Sequence, residues 1–282
     1  MSPVPARKPP ERPVPEHWPV GEDPACLTLT ANAGVLLEWQ GHKLLIDALH
    51  DGGDHQFSAV PAPILDDIAA GRPPFDGIEW LLFTHLHVDH FSAGQVERFL
   101  QTFPQVPLFL PAGNGGEGVD PAINALRQYL MAHASPVREL KLPEGRPVCY
   151  PLCPGLRVTA FYAQHDGEQF QDTQHYCLMF TLGGRNVLFL GDSLQDPDYF
   201  ADVLQDTAVD TVVVNPLFLN RSAGRETLIR AVRPGKIVVN HIPFAWEDRM
   251  RFREMVVRNV TRWHAALPPI SVLWDPLDTI TI

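Results

Sequence analysis

From residue 26 onward, short runs of apolar residues alternate with polar ones at the period of two that belongs to β-strands. Cys26-Leu-Thr-Leu-Thr alternates, Val35-Leu-Leu-Glu-Trp follows Gly34, and Lys43-Leu-Leu-Ile-Asp follows the turn-like Gln40-Gly41-His42. Each run is bounded by turn chemistry, so three strands joined as an antiparallel meander are predicted. Further strands are predicted over 79–84, 106–110, 156–163, 176–182, 186–190, 211–214 and 236–239. Helical spacing appears between them over 92–102, 121–134, 225–232 and 246–264. Strands interleaved with helices in this way indicate an α/β class built from packed layers.

The 282 residues divide into a proline-crowded arm, 1–25, and one large domain, 26–282. Pro9, Pro10, Pro13 and Pro15 remove backbone donors from the arm and favour extended chain. A hydrophobic content of 45% with 20% charged residues is that of a globular core. The formal charge of −11 provides no basic field to gather phosphate backbones, so nucleic acid is not an expected partner, whereas a small and even anionic substrate is. The longest uncharged stretch, 99–116, is interrupted by Pro104, Pro107 and Pro111, so no membrane span is predicted. The N-terminus lacks the apolar core of a secretory leader. Cys26, Cys149, Cys153 and Cys177 are too sparse for a disulfide framework, which fits a reducing cytoplasm; Cys149 and Cys153 are read as structural.

The chemistry concentrates in Thr84-His-Leu-His-Val-Asp-His-Phe-Ser, where His85, His87, Asp89 and His90 place four metal donors within six residues. An apolar strand delivers them. In extended chain His85 and His87 point to the same side, as two ligands of one ion require. Ser92-Ala-Gly-Gln95 has the form of a capping box, so a helix is expected to begin there with its N-terminal dipole toward the pocket. One motif cannot fill two coordination shells. His165, Asp192 and His241 each follow a β-like apolar run, the place where loops at a sheet edge present functional groups.

These motifs, in this order, resemble the metallo-β-lactamase fold superfamily over the chain from about Cys26 to the end. The resemblance implies an αββα sandwich of two mixed β-sheets with helices on the outer faces. It also implies His85, His87 and His165 on one metal ion, Asp89, His90 and His241 on a second, and Asp192 bridging them. Lys43-Leu-Leu-Ile-Asp47, the His85 motif and the long 165–192 segment resemble the branch containing L-ascorbate-6-phosphate lactonase and N-acyl-phosphatidylethanolamine phospholipase D.

Nitrogen and oxygen ligands without cysteine suit zinc, and also manganese or iron. Two such ions about 3.5–4 Å apart would lower the pKa of a shared water to about 7, providing hydroxide as the nucleophile, with Asp89 and Asp192 holding metal and orienting water. The expected activity is hydrolysis of a small ester, lactone or phosphodiester. The competing readings are a nuclease resembling ribonuclease Z and a metal-binding or redox protein without hydrolytic turnover. Asp47 is either a carboxylate behind a ligand histidine or a turn residue. His50, Asp51, Asp54 and His55 lie in a glycine-bearing loop that either borders the pocket or, as the preferred reading, is solvated, and neither Tyr162 nor Tyr176 is assigned as a general acid.

Overall fold

The computed structural model describes residues 24–52, 57–113 and 121–282. All of the predicted arm but Pro24 and Ala25 lies outside these residues, as do Asp54 and His55. The chain opens with β1 (Cys26–Ala31), β2 (Gly34–Trp39) and β3 (His42–Ile46), which pair antiparallel as predicted. Helix α1 (Ala62–Ala70) leads to β4 (Ile78–Leu82), α2 (Ala93–Thr102), β5 (Leu108–Pro111), α3 (Pro121–Ala132) and β6 (Val137–Leu140). The second half contains β7 (Val148–Cys153), β8 (Leu156–Tyr162), β9 (Tyr176–Leu182), β10 (Arg185–Phe189), α4 (Pro197–Leu204) and β11 (Thr211–Val214). Two short helices, α5 (Leu217–Asn220) and α6 (Ser222–Glu226), run into a π-helical turn (Thr227–Val232), and β12 (Lys236–Val239), α7 (Phe252–Trp263), β13 (Ile270–Val272) and β14 (Thr279–Thr281) complete the chain.

Two seven-stranded mixed sheets result, ordered β14-β1-β2-β3-β4-β5-β6 and β13-β12-β11-β10-β9-β8-β7. Side-chain alternation explains why they stack. In β10, Val187 and Phe189 join the core that contains the first sheet, while Leu188 and, just past the strand, Leu190 join a second core with Phe200 of α4, Phe218 of α5 and Val256 of α7. The second sheet is therefore buried on both faces, which is why β11 reads Thr-Val-Val-Val with all four residues buried. The αββα sandwich expected from the resemblance is the observed architecture.

Four strands escaped the pattern. Both β13 and β14 are three residues long, too short for alternation to register. Strand β6 has three exposed residues of four, and β7 carries Pro151, which argues against a central strand but is tolerated at a sheet edge, where β7 lies. Helices α1, α4 and α5 also lie outside the predicted helical segments. The expected helix 246–264 begins later, at Phe252, because Arg251 adopts the left-handed region at φ 57° and the Asp248 carboxylate accepts from the Phe252 and Arg253 amides at 2.7 and 2.8 Å.

The site depends on strand direction. Strands β3, β4 and β5 run parallel in one sheet, and β10 to β13 in the other, with β8 antiparallel to β9 and β9 to β10. The C-terminal ends of β3, β4, β8, β10 and β12 consequently open at one edge of the sandwich, and every sequence-selected residue lies in a loop that follows one of these ends. Since Asp248 caps α7 with its side chain, Asp248→Ala is expected to destabilise the protein by about 1 kcal/mol in urea unfolding without altering metal uptake. A change below about 0.3 kcal/mol would show that the cap contributes little beside the packing of α7.

Candidate metal centre

Local hydrogen bonds bring the loops together. The loops after β8 and β10 form a short antiparallel bridge at His165 and Ser193, in which the Leu194 amide donates to the Gln164 carbonyl at 2.7 Å and the Asp166 amide to the Asp192 carbonyl at 2.8 Å. On the other side, the β1–β2 turn straps two more loops. The Asn32 carbonyl accepts from the His241 amide at 2.7 Å, while its side-chain amide donates to the Asp89 carbonyl at 3.3 Å.

All seven sequence-selected residues converge. His85, His87 and His165 form one group, and Asp89, His90, Asp192 and His241 form another, each offering ligand atoms within 4.8 Å of one another. Asp192 joins the two. Its Oδ2 lies 3.9 Å from His165 Nε2 in the first group and 3.5 and 3.4 Å from His90 Nε2 and His241 Nε2 in the second. His241 Nε2 is also 3.5 Å from Asp89 Oδ2.

The hydrogen-bond network leaves the inward nitrogens of the first group with free lone pairs, while His90 Nε2 and His241 Nε2 of the second face each other at 3.0 Å. Thr84 Oγ1 donates to Asp47 Oδ2 at 2.6 Å and so accepts from His85 Nδ1 at 3.0 Å. His90 Nδ1 donates to the same carboxylate oxygen at 3.0 Å, and His165 Nδ1 to the Asp166 carbonyl at 2.7 Å. His85 Nε2 and His165 Nε2 are buried without a hydrogen-bond partner among the described residues. Buried polar atoms left unpaired cost free energy, so these orphans, aimed at a cluster of further donors, fit a metal ion. His87 Nε2 lies 3.3 Å from Thr173 Oγ1, leaving Nδ1 available.

Electrostatics point the same way. Burial, reinforced by the rings of His90, His87, His165 and His175, holds His85 well below the ordinary imidazole value. His87 is lowered to about 4 by burial together with His165 and His90, and burial also lowers His165. Neutral imidazole is the metal-binding form. His90 goes the other way: burial opposes its charge, but Asp47, Asp192 and Asp89 raise its pKa well above the ordinary value. This half of the site stabilises positive charge. Burial disfavours the charge of Asp192, yet His241 and His90 hold its carboxyl well below the usual range.

Several supporting residues carried no sequence signal. His175 is fully buried, donates from Nδ1 to the Ala163 carbonyl and accepts the Asp192 amide at Nε2, both at 3.0 Å. Burial holds it neutral, at about 3. Asn215 donates to Asp192 Oδ1 at 3.0 Å, which turns Oδ2 inward. Gly191 must be glycine: its φ is 53°, and a Cβ would stand 2.6 Å from His175 Nε2. Phe170 packs against His87 and His165, and Phe57 edge-on against His241, with ring centroids 4.3 to 4.9 Å apart.

Other expectations are corrected. His50 is not a solvated loop residue. It is completely buried, with both ring nitrogens unpaired among the described residues, and burial, with a smaller contribution from His90, lowers it to about 3. Asp51 is exposed. Ser92 does occupy the N-cap of α2, but no capping box forms: its side chain makes no cap bond, and Gln95 donates instead to Asp51 at 3.1 Å. The Tyr176 hydroxyl is engaged elsewhere, donating to Gln174 at 3.0 Å and accepting from the Leu142 amide at 3.3 Å.

Residues 42–242 match the sequence model of the beta-lactamase superfamily domain, a span containing all seven clustered residues. The chain belongs to this superfamily. Among solved structures, this superfamily member is similar to the metallo-β-lactamase fold protein YhfI from Bacillus subtilis (14% identity, TM-score 0.56, covering 93% of this chain and 100% of that one). It is similar to Igni18, a metallo hydrolase from Ignicoccus hospitalis (14%, 0.56, 92% and 98%). It is also similar to CmlA, a diiron β-hydroxylase from Streptomyces venezuelae (16%, 0.60, 94% and 55%), so the chain spans about half the length of CmlA. Likeness at these identities shows a shared fold. No curated protein matches the sequence.

Asp47 turns out to face the site: its Oδ1 accepts from the Thr84 amide at 2.8 Å, and its Oδ2 serves Thr84 and His90. Asn tolerates the left-handed backbone of this position, φ 50°, but presents an amide donor where two donors now converge. Asp47→Asn is therefore expected to weaken zinc binding about 10–100-fold in competition titrations, with the fold retained. Unchanged affinity would reduce Asp47 to a turn residue.

Proposed function

We propose that the protein is a metal-dependent hydrolase with a binuclear centre that cleaves a small ester, lactone or phosphodiester. The observation that carries this reading is the position of Asp192 Oδ2, within 3.9 Å of histidine nitrogens from both donor groups, as a carboxylate shared between two ions requires. In this reading His85, His87 and His165 hold one ion, Asp89, His90 and His241 the other, and Asp192 bridges. Two divalent ions there would supply Lewis-acid polarisation of the scissile group and a water of lowered pKa.

The chain's own residues supply orientation. Asp47, Thr84 and the Asp166 carbonyl fix the outward nitrogens of His90, His85 and His165, so each of these three imidazoles has one direction, and Thr173 holds His87. Asp89 and Asp192 would hold metal and orient water. The ring of Phe57 packs on His241 and that of Phe170 on His87 and His165, so apolar surface borders both groups, as suits a small organic substrate. The acidic balance disfavours nucleic acid, which is the argument against a nuclease. The resemblance to the lactonase and phospholipase D branch supports esters of this kind.

A second reading, oxidation at a di-iron centre, has the fold shared with CmlA in its favour, and the all-nitrogen-and-oxygen ligand set also admits iron. The five histidines and two carboxylates admit either metal, so the ion retained and the turnover found decide between the two readings.

Asp192→Asn keeps the shape of the side chain and removes the charge proposed to bridge. Screening lactone, phosphodiester and phosphomonoester substrates with the zinc-loaded protein should find turnover that falls at least ~100-fold in this variant, together with weaker metal binding. Full turnover with two bound ions in the variant would remove Asp192 from the mechanism. Iron as the retained metal, with no hydrolysis of any class, would favour the oxidative reading.

A further inference from the structure

At the opposite edge of the sandwich, three reactive side chains from three strands line up. His42, the first residue of β3, donates from Nδ1 to Oε2 of Glu79 in β4 at 2.7 Å. Its other ring nitrogen, Nε2, lies 3.4 Å from Sγ of Cys153, the last residue of β7. With Nδ1–H committed to the carboxylate, Nε2 carries the lone pair and the thiol donates to it. Trp39 and Trp80 flank the imidazole at centroid distances of 6.3 and 6.1 Å. Glu79 precedes His85 by six residues of largely extended chain, which separates this cluster from the metal centre by roughly 20 Å.

A thiol, a base within hydrogen-bond reach and a carboxylate orienting that base are the parts of an activated nucleophile. Burial, and secondarily the charge of Glu79, push the free Cys153 thiol up, so a standing thiolate is not what this arrangement provides. The Glu79 carboxylate, by accepting Nδ1–H, orients Nε2 toward the thiol. Reactivity here therefore depends on proton transfer during attack. Cys153 is half-buried and His42 and Glu79 keep 32% and 42% of their side chains exposed, so a small reagent can reach the sulfur.

We propose that Cys153, His42 and Glu79 form a base-activated thiol that undergoes reversible S-thiolation by small disulfides of the glutathione class. In the step, the Sγ proton passes to His42 Nε2 and Sγ bonds to one sulfur of the disulfide. The disulfide bond breaks, and the departing thiolate takes the proton from the imidazolium. Cys153 is oxidised to a mixed disulfide while the reagent is reduced to one free thiol. This site is independent of the metal centre.

Cys149 supplies an internal reference: it is exposed, lies on the same strand, and has no imidazole partner among the described residues. The full chain would be exposed to oxidised glutathione at pH 7, where ordinary thiols are mostly protonated, and glutathione adducts on each cysteine followed by peptide mass spectrometry. Cys153 is expected to react at least ~10-fold faster than Cys149, because a positioned base accelerates proton transfer. Glu79→Gln and His42→Gln should each bring the Cys153 rate down toward that of Cys149 and leave Cys149 unchanged. Equal rates in the unaltered protein, which need no variant to measure, would overturn the proposal. So would an undiminished Cys153 rate in a folded Glu79→Gln protein.

Discussion

A single buried carboxylate, Asp47, accepts the Thr84 amide, the Thr84 hydroxyl and His90 Nδ1 at 2.8, 2.6 and 3.0 Å. It stands at the end of β3, next to the end of the parallel β4, so it ties together the strand ends from which the His85 motif emerges. Its two oxygens settle the tautomer of His90 directly and of His85 through Thr84. Such outward anchors leave His85 Nε2 and His165 Nε2 buried and unpaired among the described residues, an arrangement that a shared cation would relieve.

The electrostatic consequence is a pocket with two characters. Around His85, His87 and His165, burial keeps imidazoles neutral and ready to bind a cation without first releasing a proton. Around His90, three carboxylates outweigh burial and stabilise positive charge. Asp192 stands between the two halves, aimed by Asn215 on its other oxygen and by His175 on its backbone amide. Gly191 makes this possible, since any side chain there would displace His175.

How much of this the sequence disclosed follows from how each signal arises. The compact His85, His87, Asp89 and His90 motif and the polar residues after apolar strands identified all seven clustered residues, because parallel strand ends gather their loops at one edge. Pattern also found the buried strands. It did not find β7, where Pro151 masks an edge strand, nor β13 and β14, where three residues cannot show a period. His50 escapes such a reading because glycine and acidic neighbours mark a loop but do not say whether one of its side chains turns inward. His175, Asn215 and Thr173 are single polar residues whose partners lie 12 to 86 positions away, a relation that local pattern does not carry. The Asp47 alternative was settled only by three distances.

The most direct test is the number of ions bound. Protein stripped with chelator, reloaded with zinc, freed of excess metal and analysed by elemental mass spectrometry should retain two ions per chain, because seven donors exceed the needs of one tetrahedral ion and Asp192 faces both groups. Saturation at one ion per chain, with His90 and His241 still open to chemical modification, would contradict the binuclear centre.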